Sequence, residues 1–167
     1  MEPTTVVAVD IGGTKIACGL VTFTGEGVPV VESVERVPTN PLRGGKAVLA
    51  DVIAAVKAAC ARSPRPVAGV GISTGGVVDP RTGDITYANE MMPGWSGTPL
   101  GTAVEEACGL PCRVLNDVHA HALGEARWGG GRGYGSVLVV AVGTGISGAI
   151  VDGGVLFLGA HDMAGNV

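Results

Sequence analysis

Residues 6–23 read VVAVDIGGTKIACGLVTF, and residues 139–151 read VVAVGTGISGAIV. Both open on the same apolar run, turn on glycines and continue as a second apolar run, which is the pattern of a β-hairpin. The repetition predicts two similar domains, each begun by such a hairpin. The second would be present only as its opening strands, because the sequence stops at Val167 before a second set of helices.

The rest follows outward from these hairpins. A third strand is expected over residues 28–37, ended by Pro38 and Pro41. Residues 44–61 carry Val48, Leu49, Val52, Ile53, Val56 and Cys60 at helical spacing, an amphipathic helix. A short strand at 67–72 leads into Ser73-Thr74-Gly75-Gly76, and a turn at 80–83 precedes 84–88. Thr98-Pro99 reads as a helix start, with a capping hydroxyl and proline at the first helical position. A strand at 112–115, a helix from Asn116-Asp117 to Trp128, and strands at 137–142, 146–151 and 155–158 complete the pattern. The order is βββαβαβα followed by βββ, an α/β chain. It divides as residues 1–128, an N-terminal α/β domain, and 129–167, the start of the second.

Composition narrows the ligand. With 46% hydrophobic and 16% charged residues, the 167-residue chain has enough apolar material for a substantial core. A formal net charge of −4 without any Lys/Arg cluster offers no footprint for nucleic acid or an anionic membrane, so a small molecule is expected. The N-terminus has no signal-peptide character, and no apolar stretch approaches the roughly 20 residues of a membrane span, so a cytoplasmic location is expected. Cys18, Cys60, Cys108 and Cys112 are scattered and read as reduced core residues.

Asp10 sits at a strand end before Gly12, Gly13, Thr14 and Lys15, where small residues let backbone N–H groups and a hydroxyl approach phosphate oxygens. Gly143, Thr144 and Gly145 offer the same from the other hairpin. Either turn alone reads equally as a plain hairpin, but the pair, in repeated contexts, favours a gripped triphosphate. Asp10 would hold Mg²⁺, directly or through water. Asp117 follows a strand end, where α/β folds place ligands, and is the candidate general base, although by position alone Asn116-Asp117 reads first as a helix cap. His119 and His121 lie on different helix faces and make no i, i+4 metal pair. Trp95 and Trp128 read as core packing rather than sugar stacking.

Asp10-Ile-Gly-Gly-Thr-Lys-Ile16, Pro93-Gly-Trp95, Asn116-Asp117, Ala122-Leu-Gly-Glu125, Gly143-Thr-Gly-Ile146 and Gly159-Ala-His161 with Ala164-Gly165 resemble, in order, the ROK family of sugar kinases and repressors. The resemblance implies the actin/hexokinase-like (ribonuclease H-like) ATPase fold, with ATP, Mg²⁺ and a sugar as ligands. It assigns the two glycine segments to phosphate, Asp117 to catalysis, and Ser73, Gly75, Gly76, Asn89, Asn116, His161 and Asn166 to the sugar site. It also implies a homodimer for the full-length protein, and a structural zinc whose ligands would lie beyond residue 167.

Three features depart from the family pattern. Asn166 stands where the kinases usually have Glu; Met91 and Met92 occupy the ground of a sugar-site Asn, with Asn89 displaced upstream; and Ser147 replaces a glycine. A neutral amide still donates and accepts hydrogen bonds but carries no charge, so sugar preference is expected to differ. An ATP-dependent hexose or N-acylhexosamine kinase is the leading expectation. A sugar-responsive regulator of the same family is the alternative, though only nine residues precede Asp10 where a DNA-binding segment would stand. A non-catalytic sugar-binding module is the third reading.

Overall fold

The computed structural model describes residues 2–25, 27–143 and 145–165. β1 (Thr4–Ile11) and β2 (Lys15–Phe23) form the expected hairpin, paired antiparallel from Thr4↔Phe23 to Ile11↔Ile16. Alternation places Val7, Val9 and Ile11 of β1 with Ile16, Cys18 and Leu20 of β2 in the core. There they meet the i, i+4 stripe Val48, Val52, Val56 of α1 (Gly45–Arg62), and each such side chain contributes about 1.5–3 kcal/mol by leaving water.

β3 (Val30–Pro38) begins two residues later than expected and pairs with β2, with a register shift opposite Gly19. It is largely exposed and carries Glu32, Glu35 and Arg36, which blunt an edge strand against pairing with other chains. β4 (Val67–Thr74) returns parallel to β1, and β7 (Cys112–Asn116) lies beside it, giving the order β3-β2-β1-β4-β7. A parallel return requires a crossover connection, which α1 supplies. β5 (Val77–Val78) and β6 (Ile85–Tyr87) make a small separate ribbon.

α2 (Leu100–Cys108) corrects the expected helix start. Pro99 is the N-cap rather than the first helical residue, and no side chain caps the helix. The Thr98 hydroxyl instead donates to the Gly94 carbonyl at 3.3 Å, because Thr98 is buried within the turn after Trp95.

α3 (Asp117–Trp128) precedes the second hairpin, β8 (Ser136–Val142) and β9 (Ile146–Asp152), which pairs with β10 (Val155–Leu156). Contacts divide the chain into two compact units, Met1–Val114 and Leu115–Val167. The division precedes α3 rather than following Trp128, because Val118 and Ala122 of α3 form one core with Ala149 and Val151 of β9. Among the described residues no helix is long and apolar enough to cross a membrane.

Candidate functional site

In the first unit the candidate phosphate segment caps the β1–β2 hairpin. Asp10 is exposed and faces Ala17 across one ladder and Ser73 across the other. That register lets the Ser73 hydroxyl donate to the Asp10 carboxylate at 2.5 Å. The turn closes through the Gly12 N–H to the Lys15 carbonyl at 3.0 Å. It is held from beneath by Thr39, which is fully buried: its hydroxyl donates to the Gly12 carbonyl at 2.6 Å and its N–H to the Thr14 carbonyl at 3.0 Å. Nothing in the sequence singles out Thr39, which stands between two prolines.

Gly13, Thr14 and Lys15 are exposed. At Gly13 an added Cβ would meet no atom within 4 Å, and the backbone is not left-handed there. The fold therefore does not demand glycine at this position. Gly12 is tighter, with a Cβ 3.3 Å from the Lys15 carbonyl oxygen.

Ser73, Gly75 and Gly76 continue from β4. Thr74 between them is buried and accepts the Trp95 indole N–H at 3.3 Å. Trp95 is itself buried, so it fills the core, as expected. Gly76 has a structural reason for its identity: its φ is +105° and a Cβ would lie 2.6 Å from the Tyr87 carbonyl. Gly75 has none. Asn89 is exposed and accepts the Met91 N–H at 3.2 Å, which closes its own turn.

In the second unit both members of the Asn116-Asp117 pair cap α3. The Val118 N–H is shared between the Asn116 side-chain oxygen at 3.0 Å and the Asp117 carboxylate at 2.8 Å. Asp117 stays exposed and Asn116 half-buried. The capping alternative is thus realised, and it leaves the carboxylate at the solvent face of the helix start. His119 is buried, and that burial holds its pKa below the ordinary histidine value against the opposing charges of Asp117 and Asp162. His121 is exposed and lies 3.6 Å from Glu125 one turn on.

Gly143 and Gly145 close the β8–β9 hairpin, with the Gly143 N–H donating to the Gly145 carbonyl at 2.8 Å. Neither would clash with a Cβ, so the freedom seen at Gly13 recurs in the second hairpin. The turns are not copies, since Ile11↔Ile16 brackets four residues and Val142↔Ile146 brackets three. His161 is exposed in the turn after β10. Thr144 and Asn166 lie outside the described residues.

The profile of the ROK family matches residues 6–167. This chain belongs to the ROK family. A ROK family glucokinase from Streptomyces griseus, solved in complex with glucose and AMPPNP, superposes with a TM-score of 0.81 at 36% identity, over 96% of this chain and 48% of that one. The glucokinase of Streptomyces coelicolor is 35% identical over 158 residues, 95% of this chain and 47% of its own length. A putative xylose repressor of Caldicellulosiruptor is 36% identical over 113 residues, 68% of this chain and 28% of its own length. The ROK chain described here therefore spans about half the length of its glucokinase relatives. Its fold is the actin-like ATPase α/β fold of ROK hexokinases and glucokinases.

Proposed function

We propose that this chain is the sugar-facing and phosphate-facing portion of an ATP-dependent ROK kinase that moves the γ-phosphoryl group of ATP to a hydroxyl of a hexose or N-acylhexosamine. The observation that carries the reading is the glycine at Gly13, Gly143 and Gly145 where the fold needs none. Glycines unexplained by backbone or packing, exposed at both repeated turns, are explained by a ligand that comes close to the main chain. The glucose and AMPPNP bound by the Streptomyces griseus relative support the same ligand classes here.

In this reading Gly12 to Lys15 and Gly143 to Gly145 hold the phosphates, with Lys15 supplying positive charge. Asp10, an exposed carboxylate steadied by Ser73, has the hard oxygen character that suits Mg²⁺, which would neutralise phosphate charge when bound. Ser73, Gly75, Gly76, Asn89, Asn116, His161 and Asn166 contribute to sugar binding. Asp117 accepts the proton of the attacking hydroxyl as its oxygen bonds to the γ-phosphorus and the bond from that phosphorus to the bridging oxygen breaks, releasing ADP. A homodimeric, cytoplasmic protein with a structural zinc outside residues 1–167 completes the proposal.

The test is ATP-dependent phosphorylation of a panel of hexoses and N-acylhexosamines by the protein that contains this chain. Asp117→Ala is expected to lower turnover by at least about 10²-fold while sugar binding persists. Undiminished turnover in that variant removes Asp117 from the chemistry. Sugar binding with no turnover in the parent favours the second reading, a sugar-responsive regulator, for which the xylose repressor relative speaks.

A further inference from the structure

The peptide between Gly12 and Gly13 is the least constrained joint of the first turn, because neither glycine has a Cβ to favour one orientation over the other. Thr39 fixes it from outside. The last residue of β3, Pro38, faces Lys15 across the ladder, so the chain arrives at residue 39 beneath the turn. There the buried Thr39 hydroxyl donates to the Gly12 carbonyl at 2.6 Å, while the Thr39 N–H donates to the Thr14 carbonyl at 3.0 Å. A trans peptide holds its C=O and N–H on opposite sides, and among the described residues no peptide is cis. With the Gly12 carbonyl drawn toward Thr39, the Gly13 N–H points away from it. Gly13 is exposed, and among the described residues its N–H donates to no protein atom. Thr39 is held in its turn. Asn40 takes a left-handed backbone, φ 47° and ψ 60°, which Asn adopts more readily than most residues, and leads the chain into the short 3-10 turn Pro41–Arg43. Arg43 folds back from there: its guanidinium donates to the Thr39 carbonyl at 3.3 Å and pairs with Asp51 on α1. The hydroxyl and N–H of Thr39 are thus engaged by the turn, and its carbonyl by a side chain anchored on a helix.

We propose that Thr39 is a positioning residue for the first phosphate segment: its hydroxyl locks the Gly12–Gly13 peptide in the orientation that presents the Gly13 N–H outward, to donate to a phosphate oxygen. The phosphate rests on the kinase reading; the orientation of the peptide does not. The proposal joins two observations that the fold alone leaves without a use, a glycine at 13 that nothing in the structure demands and a buried hydroxyl committed to the carbonyl at 12.

Thr39→Val keeps the shape of the side chain and removes the hydroxyl, and Thr39→Ser restores it. Amide exchange followed by NMR tests the orientation without nucleotide. In the parent chain the Gly13 N–H is expected to exchange at close to the rate of an unprotected amide, and the Gly12 N–H, which donates to the Lys15 carbonyl, more slowly. Thr39→Val is expected to speed Gly12 exchange about tenfold, and Thr39→Ser to leave it within about twofold of the parent. Calorimetry with AMPPNP on the protein that contains this chain reads the consequence. Thr39→Val is expected to weaken nucleotide binding about tenfold and Thr39→Ser to restore it, with sugar affinity within about twofold of the parent in both, a split that general destabilisation would not give. A Gly13 N–H protected in the parent without nucleotide overturns the proposal and requires no variant to fold. Gly12 exchange unmoved in Thr39→Val overturns it equally, as does AMPPNP bound as tightly by that variant as by a nucleotide-binding parent. A parent that binds no nucleotide removes the kinase reading instead, and the exchange results then decide the orientation of the peptide by themselves.

Discussion

A glycine can be required by its backbone, by a neighbour or by neither, and the three cases predict different mutants. Gly45 is of the second kind: a Cβ would lie 2.2 Å from the Gly94 carbonyl, where the Pro93-Gly94-Trp95 segment meets the start of α1. Gly45→Ala should therefore cost about 1–3 kcal/mol, read as a lowered denaturation midpoint. Gly13 is of the third kind, so Gly13→Ala should leave stability unchanged or raise it by up to about 1 kcal/mol. If the turn grips phosphate, the same substitution should weaken nucleotide binding, measured by calorimetry; unchanged affinity would detach Gly13 from the ligand. The hairpin turn from Asp10 to Lys15 was legible in the sequence because the residues that form it are contiguous. Thr39 was not, since the hydrogen bonds that make it matter arise only when residue 39 is brought beneath a turn 27 positions away. Asn116 and Asp117 were legible as a pair with two readings, of which the shared Val118 N–H realises the cap.

Elements were legible where apolar period was strong and less so where side-chain hydrogen bonds decide. α1 begins and ends within one residue of its expected bounds because its stripe is continuous. The start of α2 was misread because Thr98 had a competing acceptor in Gly94, contributed by a tertiary turn. The cysteines belong to this scale, since the elements around them set their chemistry. Burial in the first sheet pushes the thiol of Cys18 on β2 up to about 11 and that of Cys112 on β7 up to about 12. At neutral pH both should react with iodoacetamide far more slowly than a free thiol, and fast alkylation in the folded chain would contradict their placement. The stability effect has a definite sign. Above about pH 9 the unfolded chain loses these protons while the folded chain keeps them, so stability should fall from there toward pH 11–12. His119 acts at the other end. Its pKa is lowered by burial, so the unfolded state binds the extra proton first and stability should fall as pH drops below the ordinary histidine value of about 6.5. Denaturant midpoints across pH check both limbs.

At the scale of the molecule, the repeat that organises the sequence does not have the same surroundings in its two copies. Val7 of the first VVAV run is fully buried in the core that includes α1, whereas Val140 at the corresponding place in the second is 53% exposed. The second hairpin instead buries its other face: Val139 and Ala141 pack with α3, Ala149 and Val151. Cross-strand register then puts Leu138, Val140 and Val142 on one face with Ile150, Gly148 and Ile146, and Val155 and Phe157 extend the exposed apolar surface. Sequence periodicity could not foretell this, because two identical apolar runs predict the same hairpin whatever covers it. The second unit therefore presents several exposed apolar side chains on one face of its sheet, a kind of surface that binds apolar ligands. The chain should accordingly bind an environment-sensitive apolar dye while folded. Val140→Lys combined with Ile146→Lys should reduce that signal several-fold without lowering the denaturation midpoint, because both side chains already stand in solvent. A folded chain that binds no dye, or a double variant that binds as much as the parent, would mean that this face is covered within the chain itself.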